Sequence, residues 1–410
     1  MPNRINKENI EKSGFEELRK EIIDKGLCTV CGTCVGVCPE RAIRFEENGG
    51  ELIPVLEGTC IHCGVCVDVC PGSDVNIPLL EQAFFGRKRT RRLEDLGVFK
   101  TVSAGFSNDE IIRSKGASGG IVTQLLVYAM EKGIIDGAIV AGFDERKPWQ
   151  PAPKLTDNIE EIITGAQSKY SPVPINSLLN IAIDSGFKKL AVVGCPCHIH
   201  AVRKIQFLNS PPKLAKRIKL LIGLFCGTQF YFEGTRHLLK EWFGINELEE
   251  ITKLEYRGGK WPGHLIVHER DGKKRKIDRH QYIYHMLIAA YKRDRCEMCL
   301  DWSSELADIS VGDYWSPSMK PGIEKGHSTI MVRSETGYEL VKQAEGNGII
   351  SSKTMSLSTV VAGIGFELKK HAAAYRYLQR KRYGWPVPNY HLEIDHSPFI
   401  KELHFAPEVS

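Results

Sequence analysis

Residues 28–40 read CTVCGTCVGVCPE, and residues 60–72 repeat the pattern as CIHCGVCVDVCPG. Each run is C-x2-C-x2-C-x3-C followed by proline. Three thiolates from one tight loop and a fourth from elsewhere can converge on a 4Fe–4S cube. Structural zinc modules instead pair two C-x2-C halves across a longer gap. Two cubes are therefore expected. Pro39 and Pro71 turn the chain away after the last cysteine of each run. Gly32, Gly36 and Gly64 suit a backbone wrapped closely round sulfide with its amides directed inward.

The two runs resemble those of bacterial-type two-cluster ferredoxins, over about residues 25–78. In such proteins the fourth cysteine of each run ligates the other cluster. The resemblance implies one cluster on Cys28, Cys31, Cys34 and Cys70, and a second on Cys60, Cys63, Cys66 and Cys38.

Thirteen cysteines without a secretory leader argue for metal or redox chemistry rather than a disulfide framework. The opening stretch, MPNRINKENIEKSGFEELRK, is charged and has no apolar centre, and no apolar run approaches the ~18 residues of a membrane span. A cytoplasmic protein is expected, free-standing or peripheral to a membrane complex, with no transmembrane segment. The net charge of +5 counts every cysteine as neutral. Thiolate-bound clusters are anionic and would cancel that excess, so nucleic acid is not an expected partner. At 410 residues the chain has room for several cores.

After Pro78 a stretch with a basic run from Arg87 to Arg92 reads as a solvated linker or, alternatively, as a dock for an acidic redox partner. Next, Ile121, Leu125, Tyr128 and Ala129 recur at helical spacing, predicting a helix over about 120–132, and IIDGAIVAGF has the composition of a buried strand. The helix opens directly after KGASGG. Exposed amides at a helix N-terminus, with glycines allowing close approach, suit an anion, and Lys115, Ser118 and Thr123 would add charge and hydroxyls. The loop is neither a Walker A motif nor a GxGxxG fingerprint, and a plain turn is the competing reading.

Five cysteines remain. AVVGCPCHIHAVRKI predicts a strand over 190–193 and a helix from about His198, and IKLLIGLFC predicts a strand ending at Cys226. Cys296 and Cys299 follow as C-x2-C. Cysteines at the ends of two strands plus one C-x2-C can converge on a third cluster, with Cys197, Cys226, Cys296 and Cys299 as the chosen ligands and Cys195 as spare or substitute. Inert buried thiols or a zinc site are the alternatives.

Six stretches, KGASGGIVTQLL, GAQSKYSPVPI, AVVGCPCHIHAVRK, GLFCGTQF, YRGGKWPG and CEMCLDWSSELADISVGDYW, occur in the order found in beta subunits of coenzyme F420-reducing hydrogenase and F420-dependent formate dehydrogenase. The resemblance runs from about Ser103 to Trp315. The same family includes the electron-input subunit of F420H2 dehydrogenase and 7-hydroxymethyl chlorophyll a reductase, and its members are flavin and iron–sulfur proteins. The resemblance implies an FAD phosphate loop at Lys115, Gly116, Ala117, Ser118, Gly119 and Gly120 with Thr123 on the first helical turn. It also implies a second cofactor loop at Ser168, Lys169 and Tyr170, and cluster ligation by Cys197, Cys226, Cys296 and Cys299. Many relatives have another residue where this chain has Cys195.

The implied fold is α/β, α+β overall: an N-terminal two-cluster ferredoxin domain followed by an F420-hydrogenase-beta-like FAD and iron–sulfur domain. The expected division is a helical extension over 1–24, the ferredoxin domain over 25–78, a linker over 79–98, the FAD, F420 and third-cluster domain over 99–345, and a helical C-terminal extension over 346–410. The implied activity is hydride exchange between F420 and FAD, with single electrons passing through 4Fe–4S clusters to or from a hydrogenase, formate dehydrogenase, F420H2 dehydrogenase or similar subunit, alone or within an oligomer. Arg257 and Lys260 are candidates to meet the anionic F420 tail, His264 to relay a proton, and Tyr170 or Trp261 to contact a ring. A ferredoxin-dependent reductase of an organic substrate and a non-catalytic electron carrier are the competing functions.

Overall fold

The computed structural model describes residues 14–48, 50–90, 96–286, 289–316, 319–321, 325–362 and 366–393. The first thirteen residues of the expected N-terminal extension, Arg91 and Arg92 of the basic run, and residues 394–410 lie outside the described residues.

The two cysteine runs flank a hairpin of β1 (Ile43–Asn48) and β2 (Glu51–Leu56). Gly32 and Gly64 each open a short helix, Thr33–Val37 and Val65–Asp68, at φ of +86° and +75° that a side chain would resist. The body is an eight-stranded mixed sheet. It uses β3 (Thr101–Ser107), β4 (Gly137–Phe143), β5 (Pro151–Thr156), β6 (Leu190–Gly194) and β7 (Ile218–Leu224). A separate three-stranded sheet follows: β8 (Ile251–Gly258), β9 (His264–Glu269) and β10 (Lys274–Asp278). The chain then returns to the large sheet with β11 (Ile309–Asp313), β12 (Ser328–Val332) and β13 (Ile350–Thr354), giving the order β13-β3-β12-β11-β7-β6-β4-β5. The central β4, β6, β7 and β11 are parallel, and β5, β12, β3 and β13 join antiparallel.

The parallel strands are apolar on both faces, as strands covered on both sides must be. Leu190 and Val192 point to a core shared with Ile199, Val202 and Ile205 of the helix Pro196–Leu208. Ala191 and Val193 point to the opposite core, with Leu125 and Tyr128 of the helix Ile121–Glu131 and Leu340 of the helix Glu335–Gly346. The first of these cores continues into the ferredoxin region through Val37, Val69, Val75, Ile77 and Leu80. At about 1.5–3 kcal/mol per buried aliphatic side chain, those residues contribute on the order of 10 kcal/mol to holding it in place.

Three segments depart from the reading of the sequence. The linker expected from residue 79 begins inside a helix, Ile77–Phe85, whose Asn76 side chain accepts the Leu79 amide at 3.0 Å and whose Pro78 sits in its first turn. Arg89 is neither solvated nor a dock. It is largely buried between Glu81 (2.7 Å) and Glu305 (2.6 Å), because both carboxylates are fully inaccessible and need a cation. Residues 350–354 of the expected helical extension instead form edge strand β13 on β3, before the helices Leu357–Ala362 and Phe366–Arg382.

Candidate functional site: three groups of thiols beside a glycine loop

The structure brings the cysteines of the two runs together in crossed groups. One cavity is lined by Cys60, Cys63 and Cys66 together with Cys38 from the other run. Burial, with Cys63, Cys60 and Cys38 adding to it, pushes the Cys66 thiol up to about 12. The Cys34 thiol is raised by burial and by its neighbours Cys28, Cys31, Cys70 and Cys66, so it faces both groups. Burial likewise raises Cys28 to about 11 and Cys70 to about 12. Thiols this reluctant to ionise unaided stay protonated unless an electrophilic metal takes the proton's place. The amides aimed at sulfur are those of Val30 (to Cys28, 3.4 Å), Ala42 (to Cys38, 3.4 Å), Phe15 (to Cys60, 3.4 Å) and Gly72 (to Cys70, 3.3 Å). The expected glycines serve differently. A Cβ on Gly32 would meet the Pro174 carbonyl and the Ser177 amide, and one on Gly36 would overlap the Asn176 carbonyl. These two glycines let the ferredoxin loop dock against the body.

A third cavity collects Cys195, Cys197, Cys226, Cys296 and Cys299. β6 ends one residue before Cys195, β7 ends two before Cys226, and a short 3-10 turn, Cys296–Met298, carries the C-x2-C pair. Burial raises Cys197, and its thiol neighbours are Cys31, Cys226, Cys296 and Cys299. This cavity therefore adjoins the first ferredoxin group through Cys31. Cys195 stands against Cys226, whose thiol is raised first by a hydrogen bond between the two and then by burial. The helix Pro196–Leu208 starts at Pro196, earlier than the sequence suggested, because Cys195 caps it. The Cys195 amide donates to His198 Nδ1 (3.0 Å), leaving Nε2–H for the Val173 carbonyl (2.9 Å). Burial keeps that imidazole neutral down to about pH 4. Among the described residues no three His, Cys, Asp or Glu side chains converge tightly enough for a lone metal ion.

The glycine loop lies at the same edge of the sheet, where the parallel strands end. Gly120, at φ +74°, opens the helix Ile121–Glu131, and no side chain caps that helix. Four contacts fix the loop. The Ser328 hydroxyl receives the Gly119 amide (2.9 Å) and meets the Ser118 hydroxyl (2.9 Å), Gly119 O receives the Ser107 amide (2.7 Å), and Arg257 Nη2 donates to Ala117 O (2.8 Å). Arg257 also pairs with Asp313 at 2.9 Å, at the end of β11. Gly312 beside it is covered by the ring of Phe225, the residue before Cys226, so a chain of contacts across the end of β11 links the glycine loop to the strand that leads into the thiol cavity. Around the loop, Arg113 Nε, Trp261 Nε1 and Arg279 Nε are buried donors with no hydrogen-bond partner among the described residues. Gly326 joins Trp261 to Ser118 and accepts from Arg113, and Trp315 lies against both Trp261 (4.7 Å) and Arg279 (5.3 Å). Unused buried donors beside an uncapped helix N-terminus suit a phosphate-bearing ligand.

Two family profiles cover most of this region, the N-terminal and C-terminal halves of "Coenzyme F420 hydrogenase/dehydrogenase, beta subunit". The first matches residues 102–180 and the second residues 187–357. Residues 27–73 match a "4Fe-4S dicluster domain". The beta subunit of coenzyme F420 hydrogenase from Methanothermobacter thermautotrophicus is 31% identical over 72% of this chain and 99% of its own length. This chain belongs to the family of coenzyme F420 hydrogenase/dehydrogenase beta subunits. Another relative, a coenzyme F420-dependent sulfite reductase from Methanocaldococcus jannaschii, is 32% identical over 81% of this chain, which spans about half of it (48%). A solved chain of the F420-reducing [NiFe] hydrogenase complex from Methanosarcina barkeri superposes with a TM-score of 0.58 at 28% identity, covering 73% of this chain and 99% of that one.

Against the family's motifs, the remaining expected residues scatter. Tyr170 belongs to the loop's surroundings: burial raises its hydroxyl, but Arg257 and Arg279 more than reverse this, and its ring packs edge-on to Tyr256 at 5.4 Å. Lys169 is turned away, its ammonium nitrogen capping the carbonyls of Gly165, Ala166 (3.0 Å) and Gln167 (3.2 Å) after the helix Ile159–Thr164, and burial lowers it to about 7. Ser168 is half-buried, and Thr123 is buried in the helix Ile121–Glu131. Lys115 ends a short helix, Glu110–Lys115, just before Gly116. Arg257 is buried with its donors engaged, so it anchors the loop instead of awaiting an anionic tail, while Lys260 is exposed. His264 lies at the start of β9 and is bonded to Asp278 at 2.8 Å. Reading the sequence missed Arg113, Arg279 and Ser328, which lie outside the quoted motifs, and gave no role to Asp313 inside SVGDYW; only their meeting in space marks them.

Proposed function

We propose that this protein is an electron-input subunit of an F420-linked oxidoreductase. In this reading a hydride is exchanged between coenzyme F420 and FAD, and single electrons pass through 4Fe–4S clusters to or from a partner redox protein or subunit. The observation that carries it is a succession of linked sites: Arg257, Asp313 and the Gly312–Phe225 contact connect the glycine loop to the residue before Cys226, and Cys197 of the five-thiol cavity neighbours Cys31. Relatives named as subunits of F420 hydrogenase, of F(420)H(2) dehydrogenase and of F420-dependent formate dehydrogenase support the choice of F420.

When bound, FAD would supply the conversion between a two-electron hydride and single electrons. The residues that would hold it are the loop from Lys115 to Gly120 and the first turn of the following helix, with Arg113, Trp261 and Arg279 giving their unused donors to its phosphates. Arg257 keeps the loop seated, and Tyr170 closes one side. Cys197, Cys226, Cys296 and Cys299 would hold the third cluster, with Cys195 in reserve. The exposed Lys260 is suited to the anionic tail of F420. Cys60 and Cys63, beside the exposed Ile61, form the outer end of the relay, where a partner would dock.

The test is anaerobic: load the clusters, quantify iron and FAD, then mix with reduced F420 and follow bleaching of flavin and clusters. About twelve irons and one FAD per chain are expected, with the clusters reduced. Full loading with no reduction by F420H2 would exclude F420 as donor and favour a ferredoxin-driven reductase. About eight irons would remove the third cluster.

A further inference from the structure

The C-terminal stretch carries no motif, yet it reaches the third thiol cavity. Residues 385–393 run back over the ferredoxin region as a strap. The Asn389 amide donates to Ser73 O (2.7 Å), Asn389 O receives the Val75 amide (2.8 Å), and His391 pairs with Asp74 at 2.8 Å. The strap buries Tyr390, which is 2% exposed, in the wall of the cavity lined by Cys195, Cys197, Cys226, Cys296 and Cys299. Its ring lies edge-on to His200 at 6.0 Å.

The orientation of the Tyr390 hydroxyl follows from its partners. Arg295 Nη2 stands 3.0 Å from it, and the same guanidinium is fixed by donating Nε–H to Leu27 O at 3.1 Å. Arginine has donors only, so at this contact the phenol oxygen accepts. The phenol's own hydrogen is not used at that contact, and Cys299 lines the same cavity and packs against the core cluster that holds Tyr390.

We propose that Tyr390 is a positioning and tuning residue of the third site: oriented by Arg295, it donates a hydrogen bond to the Cys299 sulfur and raises the reduction potential of the cluster held there. The inference rests on the reading of that cavity as a cluster site. A one-electron reduction adds negative charge that the sulfurs share, so a donor to sulfur stabilises the reduced form more than the oxidised one. The strap thereby makes the third site a better acceptor of electrons.

The experiment is a redox titration of the full-length, cluster-loaded protein, followed by EPR, with Tyr390→Phe and with 3-fluorotyrosine at position 390. The phenylalanine variant keeps the ring and loses the hydroxyl. One cluster signal of the three should titrate lower, its reduced-to-oxidised ratio at fixed potential falling about tenfold, or ~59 mV for a one-electron couple. The more acidic fluorotyrosine should move the same signal upward. Cys299→Ser identifies which signal belongs to the site. If wild-type protein holds about twelve irons and neither replacement moves that signal, the hydrogen-bond proposal is overturned while the third cluster stands. If wild-type protein holds only about eight irons, the reading beneath it fails as well.

Discussion

Arg257 donates to the Pro262 carbonyl on its own hairpin, to Asp313 at the end of β11, and to Ala117 in the glycine loop. A lysine has one point charge and cannot span these directions, so the planar guanidinium is the feature that matters. Arg257→Met should leave the iron content unchanged and weaken flavin retention by at least about tenfold, about 1.4 kcal/mol. The check is the flavin-to-iron ratio after gel filtration, and an unchanged ratio would remove Arg257 from the loop's support. The same residue marks the limit of reading a sequence. YRGGKWPG reveals a cation beside glycines, but not that the cation is buried and saturated. The cysteine runs were legible because their meaning lies in spacing along a few residues, whereas Asp313 and Ala117, which tie Arg257 to the sheet and the loop, are 56 and 140 residues away.

At the scale of elements, the helix Ile121–Glu131 and the strands round Cys195 and Cys226 were readable from periodicity and apolar runs. The segment after Pro78 was not. Its basic run looks like a solvated linker, yet Arg89 joins Glu81 of the helix Ile77–Phe85 to Glu305, which Lys370 of the helix Phe366–Arg382 also reaches at 2.5 Å. That buried network ties together three regions distant in sequence, and charge patterning alone cannot reveal it. Removing one member leaves uncompensated charge in the interior. Arg89→Met should therefore cost about 3–5 kcal/mol, read from denaturant unfolding of the loaded protein. A loss below about 1 kcal/mol would mean that water reaches Glu81 and Glu305 and screens them.

For the whole molecule, the decisive feature is how the ferredoxin region meets the body. The Asn176 amide donates to Cys31 O at 3.0 Å, Asn180 Nδ2 to Cys38 O at 2.8 Å, and Lys204 Nζ to Cys70 O at 2.7 Å. Arg293 and Arg295, just before the C-x2-C pair, donate to the carbonyls of Cys28 (3.1 Å) and Leu27 (3.1 Å). Gly36 lies so close to Asn176 that a methyl group has no room. The loaded wild-type protein should unfold in one calorimetric transition, and Gly36→Ala should split it into two as the ferredoxin region loosens. A single unshifted transition in the variant would show that the contact yields without cost. In the proposed relay, an electron crossing from Cys197 to Cys31 on such a scaffold would wait for no encounter between molecules. That transfer would be first order, indifferent to dilution and to ionic strength, and cellular abundance would govern only the two ends, the encounter with F420 and the step beyond Cys60 and Cys63.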